Sequence, residues 1–164
     1  MEKQVKIYLD TNLILHWLRL RFVKKIKQAE EEVMIKFLLE HKEIKPYISL
    51  FSVAEIVANM RNEFKDLIQM EDIKELIEIL RNMISIDVIK LDETENSSGI
   101  KRKGILISDE IIKFAYFCYS ARDSIHIDMA KSNDLLLVTR DDDIPRVKEL
   151  YPKIIGESKF RKQF

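Results

Sequence analysis

Glycine, proline and cysteine are scarce in this chain, and a net charge is missing altogether. Three glycines, Gly99, Gly104 and Gly156, stand among 164 residues. None lies in a GxGxxG or GxxxxGKS/T setting, so chemistry that cradles a nucleotide on glycine-rich backbone loses its sequence basis. Cys118 is the only cysteine, which excludes an internal disulfide and a cysteine-rich zinc site. In IIKFAYFCYS it reads as a small core residue rather than a nucleophile. The 28 Lys+Arg are balanced by 28 Asp+Glu, so nothing pulls the whole molecule toward nucleic acid, and any such contact must come from local basic patches. No run approaches the about 20 apolar residues of a membrane span. The opening MEKQVKIYLD has a short apolar run ending in an acid, unlike a signal peptide. A cytoplasmic protein without a membrane partner is expected.

What is present is a 46% hydrophobic, 34% charged chain, the composition of a helix-rich globule. Its length suits one domain, able to bury roughly two-thirds of its unfolded surface, and no linker or repeat divides residues 1–164. Val5 to Leu9 hardly alternates and ends in Asp10, as a short buried strand does. Leu13, Trp17 and Leu20 then recur at helical spacing, and so do Ile26, Val33, Phe37 and Leu38. A strand is expected about Pro46 to Ile48. The next helix places Val53, Ile56, Val57, Met60 and Phe64 on one face, and a further one carries Ile73, Leu76, Ile77, Leu80 and Ile84. Ile86 to Ile89 reads as a strand and DETENSSGIKRKG as an exposed loop. Helices over Ile107 to Tyr119 and Arg122 to Lys131, a buried strand over Leu135 to Val138, and a short helix opened by Pro145 complete the reading.

Four acids end or follow apolar stretches: Asp10 in IYLDTN, Glu55 in LFSVAEIV, Asp123 in SARDSIHID and Asp141 in LLLVTRDDDI. Each has a plain structural explanation. Asp10 can cap the helix beginning near Asn12. Ser52-Val-Ala-Glu55 and Ser120-Ala-Arg-Asp123 both have the form of a capping box. Asp141 to Asp143 can be a solvated turn capping the helix after Ile144. Jointly they point elsewhere, because parallel strands flanked by helices gather such residues at the carboxyl edge of one sheet. Asp10 and Asp141 fit strand ends, and Glu55 and Asp123 would project from first helical turns, where the dipole keeps carboxylates ionised. Clustered carboxylates repel unless a cation neutralises them. Mg²⁺ or Mn²⁺ meets that need with oxygen ligands, and can acidify a water and place it in line with a phosphodiester. This chemistry needs no histidine, so His16, His41 and His126 read as non-catalytic, although His126, three residues after Asp123, can support the acids from behind.

The order LDTN, SVAEI, ARDSIHIDMA and LLLVTRDDDI resembles the PIN domain, most closely the VapC-type toxins, over about residues 5 to 150. That resemblance implies a three-layer α/β/α fold with a central parallel sheet and helix-rich periphery, metal-dependent endoribonuclease activity on RNA, a homodimer and an antitoxin partner. It assigns Asp10, Glu55, Asp123 and Asp141 as the catalytic acids, with Asp10, Asp123 and Asp141 as metal ligands. Glu55 and Asp143 are further candidates, and the triple Asp leaves Asp141 against Asp143 open. Thr11, Asn12 and Thr139 match polar positions that orient carboxylates or water. Residues from about 65 to 104 form a longer, more charged helical extension than a minimal toxin has.

Acids that collect metal repel phosphate, so RNA must be held by basic residues nearby. Arg122 and Arg140 adjoin site acids and can grip phosphate or pair with their neighbours. Arg19, Arg21, Lys24, Lys25, Lys27, Lys101 to Lys103, Lys159, Arg161 and Lys162 are further candidates. No RNP-like aromatic pattern, KH loop or zinc finger is present, so the RNA sequence cannot be read. Three other functions compete with this reading. A phosphatase of the haloacid dehalogenase type needs a second Asp where Asn12 stands, and a Toprim-like nuclease leaves Asp10 and Asp123 unexplained. A PIN-fold RNA-processing factor or non-catalytic RNA- or protein-binding module is the third. A homodimer through the apolar helices after Asp10 and Glu55 is expected.

Overall fold

A computed structural model of the chain describes residues 4–23, 32–89, 94–95, 101–102, 121–140, 148 and 151–164. Its centre is a five-stranded sheet, all of whose pairings are parallel: β1 Val5–Leu9, β2 Ile44–Ser49, β3 Asp87–Ile89, β6 Leu136–Thr139 and β7 Ile154–Gly156, in the order β3-β2-β1-β6-β7. The helices are α1 Thr11–Val23, α2 Val33–Glu40, α3 Leu50–Phe64, α4 Met70–Ile84, α5 Ala121–Ser132 and α6 Glu157–Arg161. A separate antiparallel pair, β4 Thr94–Glu95 with β5 Lys101–Arg102, corrects the reading of 92–104 as a plain loop. The strand β7 and helix α6 near the end were not expected either.

Successive strand residues point to opposite faces, and that alternation sorts the core into two layers. Ile7, Leu9, Val138 and Ile155 pack with buried residues of α1, α2, α3 and α4 on one face. Tyr8, Leu137 and Ile154 pack on the other face with Ile127 and Ala130 of α5. Helices on both faces explain why β1 reads as a continuous apolar run. The fold is therefore the three-layer α/β/α arrangement that the resemblance implied.

Several local expectations shift. In α3, Ile56 and Met60 are buried, but Val57 lies on the outer side. The strand expected over Leu135 to Val138 runs one residue later, and Pro46 lies inside β2 rather than opening it. Ser52 does not form a capping box with Glu55. The box closes one turn earlier, where Ser49 and Ser52 each accept the other's backbone N–H at 3.1 and 3.3 Å. Glu55 is thereby freed from capping and sits in the second turn of α3. Ile26, Cys118, the 107–119 helix, Ser120 and the Pro145 helix fall outside the described residues. Among the described residues, no helix is long and apolar enough to cross a membrane.

The strand order also locates a crevice. From β1 the chain moves outward through β2 and β3, then returns to the other side of β1 for β6. In open α/β sheets such a reversal leaves a cleft beyond the carboxyl ends of the two strands involved. Here those ends carry Asp10 and Thr139.

Candidate functional site

Asp10 follows the last residue of β1. Its backbone N–H extends the sheet to Val138 O at 3.0 Å and its carbonyl takes the Leu13 N–H of α1 at 3.1 Å. The cap that the sequence offered is thus made by backbone. The carboxylate is buried and accepts a 2.6 Å hydrogen bond from the Thr139 hydroxyl at the end of β6. Thr139 thereby orients Asp10 across the switch point.

Asp10, Thr11 and Asn12 line a cleft of about 220 Å³ whose opposite wall is Glu55 and Asn59 of α3 with Arg122, Asp123 and His126 of α5. Asp123 occupies the first turn of α5, where the helix dipole favours a carboxylate. Three of the four acids singled out in sequence therefore share one cleft. Asp141 and its alternate Asp143 lie outside the described residues.

Glu55 is bonded from both walls of the cleft. Its Oε2 accepts the Thr11 hydroxyl at 2.7 Å and His126 Nε2 at 2.8 Å, while Oε1 lies 3.6 Å from Arg122 Nε. Burial acts to raise its pKa, but the hydrogen bonds from His126 and Thr11, with the charge of Arg122, act against it and the carboxyl is held below its ordinary range. Glu55 is an ionised acceptor at neutral pH. α3 belongs to one layer and α5 to the other, so this bond ties the two layers together over the sheet edge.

Of the lining residues, Asn59 was missed, and His126 was read only as a non-catalytic residue able to support the acids from behind. Asn59 follows Glu55 by one turn and donates to the Glu55 carbonyl at 2.8 Å, and its i+4 spacing was the available signal. His126 follows Asp123 by three residues on the same helix. Its apolar neighbours concealed how fully both its ring nitrogens are used. Arg140 sits elsewhere. Its guanidinium pairs with Glu32 and Glu157, beside a second cleft that includes Thr139, Lys159 and Lys162. Arg19 pairs with Glu63 at 2.5 Å.

Among the described residues no group of three or more His, Cys, Asp or Glu is placed to hold a metal ion. The donors in the cleft are nevertheless of the kind that hard cations choose. They are carboxylate and amide oxygens, and Mg²⁺ takes only one or two carboxylates while keeping several waters. The cleft has room for several waters, each occupying about 30 Å³ in the liquid.

A doubly wound α/β domain with acids at its switch point is the class that fold and cleft define. The PIN domain family matches residues 7–150, and the chain belongs to that family, whose members are generally nucleases. No curated protein matches it. A solved structure of VapBC2 from Rickettsia felis, bound to a DNA fragment from their promoter, contains a similar chain. The TM-score is 0.51 at 13% identity, covering 93% of this chain and 98% of that one. At that identity the likeness bears on the fold.

Proposed function

We propose that the chain is a Mg²⁺- or Mn²⁺-dependent endoribonuclease that hydrolyses RNA phosphodiesters at the Asp10, Glu55 and Asp123 cleft, as the toxin of a VapBC-type toxin–antitoxin pair. The observation that carries this reading is the meeting of Asp10 and Asp123, from distant parts of the chain, in one polar cleft at the switch point. In this proposal Asp10 and Asp123 hold the ion, Asp141 or Asp143 completes the acid set, and Glu55 orients the attacking water. When bound, such an ion lowers the pKa of a water and neutralises charge developing on the phosphodiester. Thr139 keeps Asp10 facing the cleft, Asn12 offers an amide to water or ligand, and Arg122, largely exposed at the rim, meets the phosphate.

The test is cleavage of structured and unstructured RNAs with Mg²⁺, Mn²⁺ or EDTA, comparing the parent with Asp10→Asn. Cutting that survives EDTA, or that Asp10→Asn performs at the parent rate, overturns the reading. The toxin role rests on family and on the fold shared with a VapBC2 chain. It makes growth arrest on expression, relieved by Asp10→Asn, the expected outcome. A homodimer belongs to the same proposal and is read by light scattering.

One observation favours a second reading, a PIN-fold RNA-processing factor or non-catalytic binding module: the described residues alone assemble no three-ligand group. Calorimetry separates the two. A catalytic site binds Mn²⁺ in a manner lost in Asp10→Asn, and an inert scaffold gives no carboxylate-dependent heat.

A further inference from the structure

His126 is 2% exposed, and both ring nitrogens are engaged. Nδ1 lies 2.9 Å from the Tyr8 hydroxyl. Nε2 lies 2.8 Å from Glu55 Oε2 and 3.2 Å from the Thr11 hydroxyl oxygen. The Tyr8 oxygen in turn stands 2.8 Å from Ser49 Oγ and 3.1 Å from Ser52 Oγ. Hydrogen counting fixes the directions. An ionised Glu55 can only accept, and Thr11 spends its single hydroxyl hydrogen on it, so Nε2 must carry a proton toward the same oxygen. Ser49 and Ser52 already accept each other's backbone N–H, and their hydroxyl oxygens also lie 3.2 Å apart, so a serine hydroxyl hydrogen is available to the Tyr8 oxygen. With the proton of a neutral ring on Nε2, Nδ1 can only accept, and the phenol hydrogen falls to it.

We infer that Tyr8 and His126 are positioning residues: a buried relay from the Ser49 and Ser52 turn through Tyr8 and His126 locks the Glu55 carboxylate. It commits Oε2 to protein donors and reserves Oε1, on the Arg122 side, for the attacking water or the RNA. This rests on the ribonuclease reading of the cleft. The relay draws on β1, β2, α3 and α5 at once, so it transmits the register of the sheet to the carboxylate. A histidine present merely to fill the core would need neither nitrogen directed at a cleft residue.

The test compares the full-length parent with Tyr8→Phe, which keeps the ring and removes the hydroxyl, and with His126→Asn, Thr11→Val and Thr11→Ser. The readouts are kcat and KM on RNA at saturating Mn²⁺, Mn²⁺ affinity by calorimetry, and long-range ¹H–¹⁵N spectra of the histidine rings. Outer partners of this kind are worth about 10- to 100-fold in activity. The expected result is a kcat about tenfold lower in Tyr8→Phe and more in His126→Asn, with KM and Mn²⁺ affinity little changed. Thr11→Ser should recover most of what Thr11→Val loses. In the parent spectrum His126 is a single tautomer protonated on Nε2, and in Tyr8→Phe the tautomers mix. An unchanged kcat in Tyr8→Phe with only a lower Tm, or a bare Nε2 in the parent, overturns the relay. If the parent cuts no RNA, the ribonuclease reading fails and the spectra alone judge the relay. A tautomer that loosens in Tyr8→Phe upholds it, and one indifferent to Tyr8 refutes it.

Discussion

At the carboxyl ends of two adjacent strands, β1 and β6, acids and cations meet with opposite outcomes. Beyond β6, Arg140 pairs with Glu32 and Glu157. Glu32 also accepts the Met34 and Ile35 N–H groups at 2.9 and 3.2 Å as the cap of α2. That network joins the start of α2, the end of β6 and α6, and its charges are met within the protein. Beyond β1, Asp10, Glu55 and Asp123 line a cleft with Arg122, whose side chain is 68% exposed. Three acids and one arginine line that cleft among the described residues, and the proposed function assigns the balance to a cation from solution. Matched buried charge joins elements, and surplus acid at the switch point of a parallel sheet makes a site.

The comparison is broken most directly by neutralising one acid on each side. Asp10→Asn or Asp123→Asn should remove RNA cleavage altogether, a loss larger than the about 100-fold typical of outer partners, while the Tm moves little. Arg140→Met should act the other way. It removes the guanidinium shared by two largely buried carboxylates, of which Glu157 keeps Arg161 at 3.3 Å, and a broken buried pair costs about 3–5 kcal/mol. Discounted for a guanidinium about one-third exposed, about 2–3 kcal/mol remains, read by urea unfolding. Cleavage per folded molecule should fall far less than in Asp10→Asn. A stable Arg140→Met that no longer cuts RNA would place Arg140 in the site and erase the distinction.

Thr139 joins the two regions, since it ends β6 one residue before Arg140 and donates to Asp10 at 2.6 Å. Thr139→Val removes a buried hydrogen bond to a charged acceptor, worth about 1.5–3 kcal/mol, and lets the Asp10 carboxylate turn. Activity should fall about tenfold, and Thr139→Ser should recover it. Equal activity in Thr139→Val would mean that Asp10 is held by its backbone alone.

Much of this was legible in the chain, for identifiable reasons. Strand β1 and the helices α1 and α4 announce themselves by unbroken or 3.6-period apolar runs, because both faces of the sheet are covered and α4 has one buried stripe. The convergence of Asp10 with Asp123 was readable from an acid at a strand end, an acid in a first helical turn and the family resemblance. Residues whose role depends on strand order were not readable. Tyr8 looks like any apolar strand residue until α5 is placed across the sheet from α1. In sequence the capping box reads one turn late because Ser49 and Ser52 are both serines, and only the end of β2 decides which is the cap. The partners of Arg140 lie at Glu32 and Glu157, beyond the reach of any local pattern. Strand β7 escaped because three residues carry too little periodicity.

Acid pH sharpens the comparison more gently. Glu55 titrates below its ordinary value of 4.5 in the folded protein. A depressed carboxylate contributes stability that is complete above its unfolded pKa and is lost as pH falls through its folded one. Unfolding free energies measured downward from pH 5 should therefore decline less steeply in Glu55→Gln than in the parent. Identical slopes would show that Thr11 and His126 do not favour the ionised form.

The smallest effect lies at alkaline pH and contrasts two buried phenols. Burial raises both Tyr8 and Tyr151 to about 12, but Tyr8 also feels Asp10 and Glu55, whereas Tyr151 feels Asp134. A folded pKa above the unfolded value of 10 means that the folded state holds the proton more tightly. The associated stability is complete below about pH 10 and is lost between pH 10 and 12. Phenolate absorbance followed with circular dichroism should show these two of the five tyrosines ionising late, together with unfolding. Tyr8→Phe and Tyr151→Phe should each delete one late phenol. Asp10→Asn removes one of the charges opposing ionisation at Tyr8 and should advance that phenol alone, leaving Tyr151 in place. An equal advance of both would show that the substitution loosens the whole layer around α5, so that Tyr8 does not sense the cleft specifically.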